Sequence, residues 1–284
     1  MDNLSKPLLD GKSPKQRHRL GFTLVELSIV LVIIGLIVGG IMVGQSLIRA
    51  SELKAIATEV DKYSIAVNLF KGKYNAIPGD MANATDYWGT AAAGCPAGGV
   101  ATSPATCNGD GSGTICTGTQ TNHGGDCLEA LRAWQHLSNS GFIAGVYPGN
   151  NTEIVGTTLP SFKGTKTGFE MFYWGNVSGI SGFFDNTYPG HVISYGMQSP
   201  QTAGNFLDQS FQPALTTTDA YSIDLKIDDG RPGTGKLITM KKNSYFTPDF
   251  TSTNACVTTT SITTAVYDLT QTSLQCALFF EVAF

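Results

Sequence analysis

Hydrophobic residues are concentrated toward one end of this chain. From Leu27 to Ile48, 22 consecutive residues carry no charge, and only Ser28, Gln45 and Ser46 among them are strongly polar. About 20 apolar residues cross a bilayer as a helix, so the run predicts a transmembrane segment. The pattern then changes without a break. Leu53, Ile56, Val60, Tyr63, Val67 and Phe70 recur at alternating spacings of three and four, while Lys54, Glu59, Asp61 and Lys62 fall off that line. This is the single apolar stripe of an amphipathic helix. The spacing predicts one helix over 22–72, about 75 Å long at ~1.5 Å per residue. It should end near Gly72, because Tyr74-Asn-Ala-Ile-Pro-Gly-Asp80 reads as a turn.

Beyond Pro78 the signals shorten. Asp80–Trp88 reads as a short helix capped by Asp80. Residues 89–126, rich in Gly, Ala and Thr, read as an exposed loop carrying Cys95, Cys107 and Cys116, with Cys127 just beyond. Residues 127–140 place Leu128, Leu131, Trp134 and Leu137 on one helical face, with Gly141 as the stop. Thr167–Trp174, Phe183–Phe184, Val192–Tyr195, Leu237–Met240, Ala265–Leu269 and Cys276–Val282 read as short strands between turn residues. Tyr221–Asp228 reads two ways: Ile223, Leu225 and Ile227 alternate like a strand, yet Thr218-Asp219 suits a helix start. The expectation is an α+β protein, a long N-terminal transmembrane and amphipathic helix packed on an antiparallel sheet head. Its parts are a basic leader 1–21, the long helix 22–77 with its transmembrane half at 22–48, and a head at 78–284.

Charge sharpens this division. Charged residues make up 14% of the 284, and the polarity comes from 32 Thr, 21 Ser and 33 Gly instead. That composition suggests a β-leaning, loop-rich protein outside the cytosol. Residues 1–21 carry a net charge of +3, which leaves −7 on the remainder. A basic stretch before an apolar span keeps the N-terminus in the cytoplasm and sends the rest outward. An acidic remainder argues against nucleic acid, whose phosphates require clustered Lys and Arg.

The junction between leader and span reads Gly21-Phe22-Thr23-Leu24-Val25-Glu26-Leu27. No small-x-small signal-peptidase site follows the span. A plain anchor does not explain Glu26 inside the apolar run, where a carboxylate costs about 2.5–3.5 kcal/mol on insertion scales. The junction resembles the processing motif of type IV pilins and type II secretion pseudopilins. That resemblance implies cleavage between Gly21 and Phe22 by a membrane-bound prepilin peptidase, N-methylation of Phe22, and a role for Glu26 in assembly. It implies as partners other pilin or pseudopilin subunits and an inner-membrane assembly platform. It implies a single-pass inner-membrane protein with a periplasmic head, later part of a pilus or pseudopilus, and in some systems of the cell surface. The function implied is a structural filament subunit. The alternative is a minor or tip pilin acting as an adhesin or DNA-uptake module through loop 89–126.

Several residues bear on that reading. A new amine at Phe22 and the carboxylate of Glu26 in low dielectric would offset each other's desolvation if paired between subunits. Gly35–Gly39 and Gly40–Gly44 have GxxxG spacing, which lets helices approach closely in lipid, although Gly is also common in membrane helices. No proline precedes Pro78 in the mature span, unlike the kinked helix of many pilins.

Six cysteines outside the cytoplasm point to disulfides. Cys256–Cys276 would resemble the C-terminal staple of many pilin heads. Cys95–Cys107 and Cys116–Cys127 are the pairs preferred in the loop, among 15 connectivities. A zinc site from Cys116, His123 and Cys127 lacks CxxC spacing and a fourth ligand. Gly230–Lys236 fits the phosphate-loop pattern, but Leu237 replaces its Ser/Thr and Asp228 and Asp229 would repel phosphate, so a turn is expected. No cofactor is expected. The weak exception is calcium on Asp224, Asp228 and Asp229, since major pseudopilins bind calcium in a head loop, but the spacing is not that of an EF-hand. His18 lies in the leader, and His123, His136 and His191 lack a nucleophile at motif spacing. No catalytic residue is assigned, and no enzyme is expected.

Overall fold

The computed structural model describes residue 21 and residues 23–91, 104–115, 128–149, 154–173, 190–198, 212–240, 242–244, 247–248, 256–259 and 264–284. It divides into two compact units between Ala50 and Ser51. Helix α1 (Leu24–Tyr74) contributes to both.

In the first unit the apolar side chains are exposed, Leu31, Ile37 and Leu47 among them. The polar residues in the run are satisfied locally. Ser28 Oγ donates to the Val25 carbonyl at 2.8 Å and Ser46 Oγ to the Val43 carbonyl at 2.9 Å. Such back-bonding is how hydroxyls are accommodated in a helix that has no water to turn to.

The second unit begins with the remaining turns of α1, whose buried residues are Leu53, Ile56, Val60, Tyr63, Ala66, Val67 and Phe70. This is the stripe of the sequence with Ala66 added. The helix runs two residues past Gly72, and Asn75, with φ of 51°, takes the left-handed position beyond its end. Helix α2 spans Ala84–Trp88 and α3 spans Leu128–Asn139. Gly141, at φ of 78°, turns the chain after α3, where the Phe142 amide donates back to the Leu137 carbonyl at 3.0 Å.

The sheet follows with β1 (Thr167–Tyr173), β2 (His191–Met197), β3 (Leu215–Thr216), β4 (Leu237–Met240) and, after a small hairpin of β5 (Lys242–Ser244) and β6 (Thr247–Pro248), β7 (Leu274–Val282). Every pairing is antiparallel and β7 is central. Its Leu278–Val282 stretch pairs with β2, which pairs in turn with β1. On its other edge β7 meets β4, with Phe280 opposite Leu237, and β3, with Cys276 opposite Leu215. Tyr63 of α1 meets Trp134 of α3 and Phe169 of β1 edge-on, at centroid distances of 4.9 and 5.3 Å. Helix and sheet thus share one core.

Several expectations need correction. Asp80 does not cap α2. Asn83 holds the N-cap position without a side-chain bond, and the Asp80 carboxylate serves the 104–115 segment instead. Part of the loop expected to be exposed is buried, at Thr106, Cys107 and Ile115. The stretch Ala265–Leu269 forms no strand; only an isolated bridge joins Tyr267 to Val257. The ambiguous stretch is helical, as α4 (Thr217–Ile227). Its cap is Thr216, which accepts from the Asp219 amide at 3.2 Å and donates to the Asp219 carboxylate at 2.8 Å. Phe22, Cys95, Cys116, His123, Cys127 and Phe183–Phe184 lie outside the described residues.

Cys256 and Cys276 form a disulfide, with Cα atoms 5.2 Å apart. It ties the segment before β7 to β7 itself, closing a loop of 20 residues. Replacing both cysteines by serine should lower stability by about 3 kcal/mol by the chain-entropy relation, read as a lower denaturant midpoint at unchanged slope. Trp134→Ala, which empties a fully buried site, should cost about 3–5 kcal/mol in the same assay.

Candidate functional site

The start of α1 is organised by two side chains. Thr23 Oγ1 accepts from the Glu26 amide at 3.2 Å, and Glu26 Oε2 accepts from the Thr23 amide and hydroxyl, both at 2.8 Å. This is a reciprocal capping box that satisfies donors otherwise left orphaned at a helix start. Thr23-Leu-Val-Glu26 carries its sequence signature, Thr followed three residues later by Glu before an apolar run. Thr23 is therefore a residue that the reading of Glu26 by its charge alone passed over. Gly21 stands next to this box, exposed, with nothing within 4 Å of where a Cβ would lie.

A second constellation surrounds the 104–115 segment. Asp80 Oδ1 accepts from the Ser112 amide and Oδ2 from the Gly113 amide, both at 2.9 Å. The Gly109 and Gly111 amides donate to the carbonyls of Met81 and Asp80 at 2.9 Å each. Gly109 is required here, since a Cβ would stand 2.4 Å from Asp80 Cα. The Asp110 amide donates to Glu129 Oε1 at 3.0 Å. Asp80, Asp110 and Glu129 can each place an oxygen within 4.8 Å of the others, but the bonds just named explain the two buried carboxylates as anchors for loop amides. Burial, with Asp110 beside it, pushes the Asp80 carboxyl up, against the opposing pull of the Gly113 and Ser112 amides. Buried His136 and Gln135 of α3 hold the same segment at Thr106. Cys107 is disulfide-bonded, to a residue outside the described ones.

Asp224, Asp228 and Asp229 also come together, with one oxygen from each within 4.8 Å of the others. Their oxygens are already engaged. Asp224 accepts from the Gly230 amide at 3.1 Å and the Tyr267 hydroxyl at 2.6 Å. Asp228 Oδ2 accepts from the amides of Lys236 and Leu237. Asp229 accepts from the Arg231 amide at 2.8 Å and the Thr234 hydroxyl at 2.5 Å. A calcium site gathers six to eight oxygens around one point, waters and carbonyls included; the bonds that these three carboxylates make shape an acidic turn. The phosphate-loop lookalike is the same turn. Gly230 and Gly235 have φ of 75° and 83°, and Leu237 starts β4 where a phosphate loop would start a helix.

Residues 16–42 match the prokaryotic N-terminal methylation motif, the signature of type IV pilins and pseudopilins. No curated protein and no solved structure matches the chain. The motif covers the leader end, the junction and the first part of α1. With the exposed apolar part of α1 it fits a membrane-anchored pilin.

Asp224 yields a pH prediction. Burial, helped by Asp229 and Asp228, pushes its carboxyl up to about 6, against the opposing bonds from Tyr267 and Gly230. A pKa raised in the folded state adds stability below the ordinary carboxylate range, and this is lost as pH rises through about 6. Asp224→Asn, neutral throughout, should therefore be better tolerated at pH 8 than at pH 4.5, as read from paired melting curves. Calcium that raises the melting temperature of the wild type but not of Asp224→Asn would overturn the reading of this turn as self-bonded.

Proposed function

We propose that the protein is a structural subunit of a type IV pilus-like or type II secretion pseudopilus filament. A prepilin peptidase cuts it between Gly21 and Phe22, Phe22 is N-methylated, and α1 carries it into the filament. The observation that supports this most is the continuity of the methylation motif with α1. The motif at residues 16–42 opens a helix of 51 residues whose first part exposes its apolar side chains and whose second part buries its stripe in the head. A chain built this way is inserted by one half of the helix and displayed by the other. The pilin signature supports a structural role rather than catalysis.

Other subunits of its kind, the peptidase and an inner-membrane assembly platform are the partners of this reading. The basic leader lies in the cytoplasm and the head in the periplasm. On leaving the bilayer, the exposed side chains from Leu24 to Ile48 are buried against the same residues of neighbouring subunits. The glycines at 35, 39, 40 and 44, with nothing within 4 Å of their Cβ positions, permit close helix approach.

Glu26 has two tasks in this scheme. In the uncut chain its carboxylate closes the capping box with Thr23. After cleavage the amine of Phe22 is a second charge at the same depth, and Glu26 of an arriving subunit pairs with that amine on its neighbour. The two roles separate by mutation. Glu26→Val should be cleaved normally yet absent from sheared filaments. Thr23→Val loses the cap, worth about 1 kcal/mol, but keeps the carboxylate and should still be incorporated. Mass spectrometry of sheared filaments and envelope, reading the N-terminal peptide, checks both variants. Wild-type protein should begin at Phe22 with one added methyl; an intact leader in both fractions would overturn the proposal.

A further inference from the structure

We propose that Pro104–Ile115 is an acid-released strap, held closed on the head by two buried neutral histidines that accept or relay hydrogen bonds at its two ends, and opening when both rings gain a proton while the sheet stays folded.

At the first end, His136 is fully buried. Its Nδ1 accepts from the Gly79 amide at 3.0 Å, and its Nε2 lies 3.0 Å from Thr106 Oγ1. Because Nδ1 is an acceptor, the ring proton sits on Nε2 and points to Thr106. The Thr106 hydroxyl then donates to Gln135 Oε1 at 2.7 Å, leaving Gln135 Nε2 to donate to the carbonyls of Ala105 and Pro148, both at 3.0 Å. The chain of bonds closes in one tautomer only. At the other end, His191 Nε2 accepts from the Ile115 amide at 3.2 Å. Each ring therefore receives a backbone N–H on one nitrogen. A proton on that nitrogen sets donor against donor: at His191 against the strap's own Ile115 amide, and at His136 against the amide of Gly79, whose carbonyl lies against Gly109 of the strap.

The Cys107 backbone favours a charged His136, but the rest of the surroundings oppose it. His136 packs near the rings of Phe70 and Trp88, with Arg132 on its own helix adding positive charge. His191 packs against Tyr173 and Phe284, with Lys71 of α1 adding positive charge. Glu281 of β7 stands by the neighbouring Gly190, and Glu129 lies on α3 two turns before His136. Burial first, then those cations, pulls His136 down to about 3 and His191 down to about 4. A histidine released to water titrates near 6.5. The closed strap therefore loses stability as pH falls from about 6.5 toward these lower values.

The two carboxylates at the strap act in opposite senses. Asp80, which holds its middle, is pushed up by burial, so its own proton favours the closed form. Asp110 is pulled down by its bonds to Ser112. The histidines are the groups whose released-state titration begins near the top of the window, at about pH 6.5. Opening uncovers the face of α2 and α3 from Thr85 to His136. The disulfide at Cys107 keeps the released strap tethered.

Amide hydrogen exchange on the full chain in detergent with EDTA tests this, comparing strap amides (Thr106, Gly109, Gly111, Ile115) with sheet amides (Ile193, Phe279). Between pH 6.5 and 5.5, strap protection should fall by about 5-fold if one histidine takes up its proton on opening, and by about 30-fold if both do. Sheet protection should not change. His136→Asn with His191→Gln keeps an acceptor near each amide without a titrating group, and should flatten the profile. Flat strap protection in the wild type, a parallel loss in the sheet, or an undiminished slope in the double variant would each overturn the proposal. If the double variant does not fold, the wild-type slopes alone decide.

Discussion

The head is built against one face of α1, and Tyr63 is where that dependence is most concentrated. Its ring meets Trp134 of α3 and Phe169 of β1 edge-on, so one helical side chain joins a helix and a strand from distant parts of the chain. Seven residues later Phe70 meets Trp88 and His136 on α2 and α3. Edge-to-face and tilted ring pairs add about 0.5–1.5 kcal/mol beyond area burial. Their larger effect is directional, because they set which turn of α1 faces which element. Remove the stripe and α3 and the sheet have no common surface to cover.

Helix α3 then divides its own residues between two tasks. Leu131, Trp134 and Leu137 are buried in the apolar core, whereas Glu129, Gln135 and His136 are buried with polar partners on the strap. A buried polar group left unpaired costs about 1–3 kcal/mol, so these three residues demand a segment with matching amides, hydroxyls and carbonyls. The Gly-rich strap supplies them. Gly109 allows the backbone to approach Asp80 closely, and Asp80 receives the amides of Ser112 and Gly113 in return. The acidic turn after α4 works on the same principle, with Asp228 and Asp229 binding the donors of the segment that leads into β4. Carboxylates that look like ligands in isolation are here the acceptors that shape two loops.

The same economy operates at the start of α1. Glu26 closes a cap with Thr23 at the start of the helix. A single carboxylate thus serves folding of the precursor helix and, in the proposed filament, recognition of a neighbour. The exposed apolar side chains that follow favour burial away from water; in the proposed filament, neighbouring subunits supply it.

Both halves of α1, the strand at β7 and the junction Gly21–Glu26 were legible from sequence, because each rests on a local pattern: an uncharged run, a 3.6 period, a short apolar run between turn residues, a motif; the cysteine pair 256–276 was expected from the resemblance to pilin heads. The capping box was equally local and was missed only because Glu26 was weighed by its charge. What sequence could not settle was which distant groups meet. Asp80 looked like a helix cap and instead binds amides more than 30 residues away. His136 and His191 carried no motif, yet the fold sets one against Thr106 and the other against Ile115. The 89–126 stretch looked too polar to be buried, but within it Thr106 and Asp110 meet buried partners on α3. Periodicity is a property of neighbours along the chain, so it is written there. Pairing across long loops depends on which surfaces remain after the core has closed, and only the tertiary structure decides that.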